Sequence, residues 1–510
     1  MNKVAKTTLM LMIITIISKI LGFARELVLG GIYGTTFYSD AYIVAMNIPG
    51  TLFSLIGIAL ATTFIPLYYE NNKSIKESNK FTNNIFNITL ILSSVLVLLV
   101  LLFTDQVVKI FAMGFDGYTF ELTVELTKIM IFGALFMGTS SIITSFLQAK
   151  ENFMISGLVG IPFNIIIIIV IILSLKINIY ILPIGTVIAM ASRLVFQIPS
   201  ARRYGYKYKF EIGLKEDYIK KVIWLVGPVF IGVAVNQINT MVDRTLASTL
   251  LEGSISALNY ANRLNSFVMG LFIASIGTAI YPALSKMSSD SNKESFTKTV
   301  YKSVNSAILL VIPISVGAMV LATPIVSLLF ERGAFDANAT KTTASALKFY
   351  SIGMVGFGLR DILGKVFYSL QDTKTPVING AMAMGMNIML NLTLVKFMGH
   401  AGLAFATSLS AIICILILFR SLKKKIGYFG QDKIIKTTLK SIIASILMGI
   451  TTYVIYSMLS GVLGIGTIQK AISLFGSIGI GALTYGVLIV ILKVEEVSMI
   501  IDFTKKKLNM

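Results

Sequence analysis

Apolar stretches of about twenty residues or more recur along the whole chain, separated by short polar breaks. Each is long enough to cross about 30 Å of hydrocarbon as a helix. Hydropathy and breakers predict helices near residues 7–32, 39–68, 82–103, 122–148, 154–175 and 178–200. A second set is predicted near 219–248, 254–286, 299–329, 341–368, 376–397 and 400–421, and two more near 434–459 and 470–493. The pattern predicts an all-α polytopic membrane protein with fourteen transmembrane helices.

Lysine and arginine test that count. Loops after even-numbered helices, with both termini, carry 28 of them, and loops after odd-numbered helices carry 6. The bias puts both termini in the cytoplasm, because basic loops are retained on that side. A miscounted helix would have scrambled the alternation.

Composition agrees. Of 510 residues, 55% are hydrophobic and 13% charged, with a mean hydropathy of +0.83. On so apolar a chain, the net charge of +20 speaks for topology and anionic lipids rather than nucleic acid. The first apolar segment follows Lys3 and Lys6 like a signal peptide, but it is too long, holds internal charges and is expected to be retained. One cysteine (Cys414) and one histidine (His400) exclude an intramolecular disulfide, a His/Cys metal cluster and a Cys-His nucleophile. No GxxxxGK[ST] phosphate loop is present.

The chain repeats itself. Leu147-Gln148 with Asn164 matches Leu370-Gln371 with Asn387 at an offset of 223, and Pro66 in ATTFIPLYYE matches Pro282 in GTAIYPALSK at an offset of 216. Six helices separate equivalent positions, so the two repeats run parallel about an axis along the membrane normal. The expected organisation is an N-lobe over 1–201, a cytoplasmic amphipathic linker over 202–221, a C-lobe over 222–421, and two extra helices with a basic tail over 422–510. The linker, RRYGYKYKFEIGLKEDYIKK, is basic and aromatic, suited to lying along the membrane interface or to being a solvated connection. Two related bundles suggest an alternating-access transporter with its site near mid-membrane.

Charges inside apolar spans are costly, about 2.5–3.5 kcal/mol each near the bilayer centre, and so point to function. Lys19, Arg25 and Glu26 lie on the first helix, Asp40 starts the second, and Arg263 lies in the eighth. Arg25 and Glu26 are adjacent and are expected to point to different sides without neutralising each other. Lys19, Arg25 and Arg263 in one cavity would make a cationic chamber suited to phosphate or diphosphate oxygens. Snorkelling, or a local Arg25–Asp40 pair, is the plainer alternative. Asp243, Asn387, Asn391 and Thr407 together would suit a hard cation such as sodium, whereas interhelical amide hydrogen bonds would explain the asparagines alone. Asp361 and Lys365 are spaced to pair with each other, and His400 reads as a structural contact.

These segments resemble the MviN/MurJ family of bacterial lipid II flippases, within the superfamily that includes MATE multidrug exporters. The resemblance rests on SKILGFARE (Ser18–Glu26), SDAYIVA (Ser39–Ala45), YANRL (Tyr260–Leu264), IGTAIYPALSK (Ile276–Lys286), YSLQDTKTP (Tyr368–Pro376) and GHAGL (Gly399–Leu403). It implies a cavity between two six-helix lobes, with Arg25 and Arg263 on the diphosphate and head group, Lys19, Glu26 and Asp40 also functional, and a groove for the polyprenyl tail along the last two helices. NIPGTLFSL (Asn47–Leu55) departs from the family by lacking the arginine pair that many members have there.

The expectation is a plasma-membrane lipid II flippase, not an enzyme, without a cofactor, with sodium coupling through Asp243 and with membrane lipids and cell-wall synthases as partners. The rivals are a flippase for another undecaprenyl-linked saccharide, a cation-coupled drug exporter and a scaffold for the cell-wall machinery.

Overall fold

The computed structural model describes residues 3–71, 74–289, 293–464 and 466–496, and every regular element among them is a helix. The first six expected segments are α1 (Lys3–Tyr33), α2 (Phe37–Glu70), α3 (Ile75–Leu102), α5 (Gly117–Met130) with α6 (Gly133–Ala149), α7 (Phe153–Leu158) with α8 (Gly160–Ser174), and α9 (Ile181–Arg203). A short α4 (Thr104–Phe111) was not anticipated. The next six are α10 (Asp217–Ser248), α11 (Ser254–Ser289), α12 (Lys293–Val320) with α13 (Ala322–Phe330), α14 (Ala337–Ser369), α15 (Lys374–Met398) and α16 (His400–Ile426). Then come α17 (Gln431–Leu463) and α18 (Thr467–Ile491). All fourteen expected segments are therefore helical. Among the described residues, eight stretches are long and apolar enough to cross a membrane unaided, or nine if α5 and α6, bent by 41°, form one span.

Helix starts follow local chemistry. Ser74 caps α3 by accepting the Glu77 N–H at 3.2 Å, and Asp336 caps α14 by accepting the Ala339 N–H at 2.7 Å. Large apolar side chains face outward, among them Leu98 and Leu102 on α3, Ile169 and Ile172 on α8, and Leu483 on α18. That outward face suits lipid and would be costly in water.

Two compact units are formed: Met1–Ser256 with Gly333–Phe335, and Ala257–Arg332 with Asp336–Met510. In the first, Phe64, Tyr68, Phe81, Phe146, Tyr206 and Tyr218 build an aromatic core. Helix α10 lies in this unit, tied to α2 by a 2.7 Å Lys221–Glu70 ion pair. The second unit packs Ile308, Met354, Leu363, Phe367 and Leu418 into its core, with Ala444, Ile489 and Val494 forming a smaller cluster.

The duplication is visible in the turns, with a correction to its register. Glu151 and Gln371 both have positive φ, 60° and 56°, and the Asn152→Leu147 and Asp372→Phe367 backbone bonds are both 2.9 Å. This equivalence runs from 151 to 371, an offset of 220. Phe115-Asp116 and Phe335-Asp336, each just before a helix, share that offset. Pairing Gln148 with Gln371 is therefore three residues out of step at this turn. A left-handed residue fixes register more strictly than a recurring Leu-Gln dipeptide.

Gly34, with φ 58°, shows how tightly the turn after α1 is packed. A Cβ there would sit 2.3 Å from the Ala334 carbonyl oxygen, while the Ala334 N–H donates to the Gly31 carbonyl at 2.9 Å. Gly34→Ala combines backbone strain with a clash against main chain, and should cost about 2–3 kcal/mol. A fall in melting temperature of the purified protein checks it, and an unchanged value would contradict this packing.

Candidate functional site

The first helix places its charges in different surroundings. Lys19 is exposed, whereas Arg25 and Glu26 are buried at 9% and 2% exposure. Arg25 Nη2 lies 2.6 Å from Glu26 Oε1, and its Nη1 donates to Asn164 Oδ1 at 3.3 Å. The Arg25 guanidinium also sits 5.8 Å from the Phe163 ring centroid on α8. Gly22 lies against the same asparagine, where an added Cβ would make an ordinary 3.7 Å contact with the Asn164 amide.

One expectation and one alternative are overturned. Adjacent helical residues leave the axis about 100° apart, yet the long arginine side chain wraps back to reach Glu26. Nor does Arg25 pair with Asp40. The Asp40 carboxylate accepts the Gly253 N–H at 2.8 Å and the Ser256 N–H at 2.7 Å, capping the start of α11. Nearby, a cavity of about 190 Å³ is lined by Asp40, Asp116 and Glu252, an acidic surface that repels anions.

One arginine escaped the sequence reading. Arg193 on α9 lies 5.4 Å from the centroid of the same Phe163 ring, and its buried Nε has no hydrogen-bond partner among the described residues. An uncompensated guanidinium in an apolar span is the signal that could have found it. Arg25, Phe163, Asn164 and Arg193 together present two cations around one aromatic ring, with Glu26 as the carboxylate on one of them. Arginine forks in such a setting suit phosphate oxygens.

In the second unit, Arg263 on α11 is exposed. Asn387 and Asn391 on α15 do share a face, joined by a 3.0 Å Asn391 Nδ2→Asn387 Oδ1 bond, and Asn387 Nδ2 donates to Thr407 Oγ1 at 3.5 Å. Asp243 is half-buried on α10 of the first unit. Lys365 pairs with Asp361 at 2.7 Å, and His400 Nε2 lies 3.1 Å from the Thr342 carbonyl, both as anticipated. In the QDTKTP turn, a 2.5 Å bond from Lys425 and the Thr375 N–H hold the Asp372 carboxyl down to about 2, so it stays ionised at neutral pH.

The model of the family described as lipid II flippase MurJ matches residues 30–472. The chain belongs to the lipid II flippase MurJ family. It is 30% identical to a probable lipid II flippase MurJ of Vibrio cholerae serotype O1, over 97% of each chain. It is 27% identical to the lipid II flippase MurJ of Burkholderia cenocepacia, over 81% of this chain and 82% of that one. Among solved structures, a lipid II flippase MurJ in an inward closed conformation matches with a TM-score of 0.81 at 30% identity, covering 94% of this chain and 98% of that one. An inward-facing MATE multidrug transporter matches with a TM-score of 0.67 at 15% identity, covering 81% of this chain and 96% of that one, which is likeness of fold alone. The MurJ family likeness makes this chain an α-helical, multi-pass membrane transporter rather than a catalyst of covalent change.

Proposed function

We propose that this chain is a lipid II flippase that carries the undecaprenyl-diphosphate-linked peptidoglycan precursor from the cytoplasmic to the outer leaflet by alternating access. The observation that carries the reading is similarity to MurJ proteins over nearly the whole chain. The cationic side chains support it: Lys19, Arg25 and Arg193 in the first unit, and Arg263 in the second, each suit the oxygens of a diphosphate. Glu26 acts as a resident counterion on Arg25, and substrate oxygens displace it. Both termini lie in the cytoplasm, as the distribution of basic loops indicates. The α17–α18 pair carries the polyprenyl tail, and cell-wall synthases are the natural recipients of the product.

An inside-negative potential of 100 mV is worth about 2.3 kcal/mol per charge crossing fully, and it favours moving an anion outward. Sodium is a proposed additional driving ion, with Asp243 supplying charge and Asn387, Asn391 and Thr407 supplying oxygens. Replacing sodium by potassium at constant potential reads this directly.

The test is the appearance of lipid II on the outer face of cells lacking other flippases, at matched membrane levels of each variant. Arg193→Ala and Arg263→Ala should each reduce transport about 10- to 100-fold, the size expected for losing one or two charge-assisted bonds of roughly 1.5–3 kcal/mol. Unchanged transport in both would remove the cationic grip. A wild-type chain that moves another polyprenyl-linked saccharide, but not lipid II, would overturn the substrate.

A further inference from the structure

We infer that residues 205–216 form a rigid finger that binds anionic phospholipid headgroups at the membrane surface. Between α9 and α10 the chain is not helical. It runs down α3 and back, held by four asparagines spaced to share one face. Asn79 binds the Gly205 carbonyl and the Lys207 N–H at 2.9 and 3.1 Å. Asn83 donates to the Lys207 carbonyl at 2.9 Å. Asn87 donates to the carbonyls of Lys209 and Glu211 at 3.2 and 2.9 Å and accepts the Tyr208 hydroxyl at 3.1 Å. On the return, Asn84 donates to the Gly213 carbonyl at 3.1 Å and accepts the Gly213 N–H at 2.8 Å. Asn83, Asn84 and Asn87 are at most 2% exposed. Such buried bonding to the main chain fixes the backbone of a segment that composition alone would leave loose.

The finger ends at the lipid boundary. Its lowest residues, Lys209 to Glu211, lie level with Asn87. Beyond Asn87, the exposed large apolar residues of α3 begin at Ile91, four residues on, or about 6 Å along the axis. Phe210, at the tip, is 65% exposed, Tyr208 is 54% and Leu214 is 67%. Rings and aliphatic groups held this way in water gain nothing, whereas at an interface they bury against acyl chains.

Charge selects the headgroup. The segment 202–221 holds seven bases and three acids. Two of those acids are already engaged, Glu211 with Lys209 at 3.0 Å and Glu216 with Lys80 at 2.6 Å. Arg202, Arg203, Lys207, Lys215 and Lys220 are exposed and make no ion pair with a carboxylate among the described residues. A fixed cluster of cations beside inserted rings matches phosphatidylglycerol-like headgroups, worth about 1 kcal/mol per base. Burial of the finger in lipid needs no cargo, so it stands or falls separately from the transport reading.

The experiment uses the full chain in vesicles that contain no lipid II. Trp224 is the sole tryptophan, so Trp224→Phe gives a dark background in which F210W reports the tip. Acyl-brominated phosphatidylglycerol should quench F210W, and should do so better than brominated phosphatidylcholine. Adding Lys207→Gln and Lys215→Gln should reduce that preference roughly thirtyfold, from about 1 kcal/mol per base. L214W in the same background gives a second reporter if F210W fails to fold. Emission that is unquenched by either lipid for both reporters overturns the proposal and leaves a solvated strap. Equal quenching by the two lipids, insensitive to the lysines, overturns the headgroup selectivity.

Discussion

Arg25→Ala is expected to lower stability by about 3–5 kcal/mol, because it removes the 2.6 Å partner of a carboxylate that is 2% exposed. The double variant Arg25→Gln/Glu26→Gln should recover most of that loss, since two neutral amides fill similar volume without a buried charge. Melting of the purified protein in detergent reads both. Transport should fail in both variants, because neither retains the guanidinium. The contrast separates an arginine needed to fold from one needed to hold an anion. A single variant that melts like wild type would mean the pair carries little energy. A double variant that still transports would remove Arg25 from the grip.

The second large effect is expected at Asp40. Its carboxylate is 3% exposed and accepts two backbone N–H groups, from Gly253 and Ser256. Asp40→Ala deletes both acceptors and strands two donors at the start of α11, at a cost of about 3 kcal/mol. Asp40→Asn keeps one carbonyl oxygen and should lose roughly half as much. Melting temperature measures the size, and faster proteolysis between residues 249 and 253 would locate it. Equal melting of wild type and Asp40→Ala would contradict the capping role. This gives the SDAYIVA motif a structural role, since Asp40 on α2 caps the start of α11.

Those two cases show where local pattern stops being informative. Asp361 with Lys365 was legible because a four-residue separation on one helix brings the side chains together whatever the fold does. Arg25 with Glu26 was misread by the same rule, which describes where side chains leave the helix and not how far a long one can turn back. Arg193 carried a signal, a lone base in an apolar span, but its meaning depends on Phe163, thirty residues earlier on another helix. The asparagines of KESNKFTNNIFN also carried one, four amides on a face entering a membrane. Nothing local says that their partner is the backbone between Gly205 and Gly213.

The sequence by itself determined the helical segments, the apolar faces they turn outward, the alternation of basic loops and the family. Each of these follows from hydrophobicity and charge read over one turn or one span, where the bilayer imposes length and side regardless of the neighbours. Only the tertiary structure decided which charges are compensated, which carboxylate caps a helix and where the linker runs. Apart from the adjacent Arg25 and Glu26, those outcomes depend on hydrogen bonds between residues more than a hundred positions apart, such as Asp40 with Gly253 and Asn79 with Gly205, and a low-dielectric interior rewards whichever partner the packing delivers.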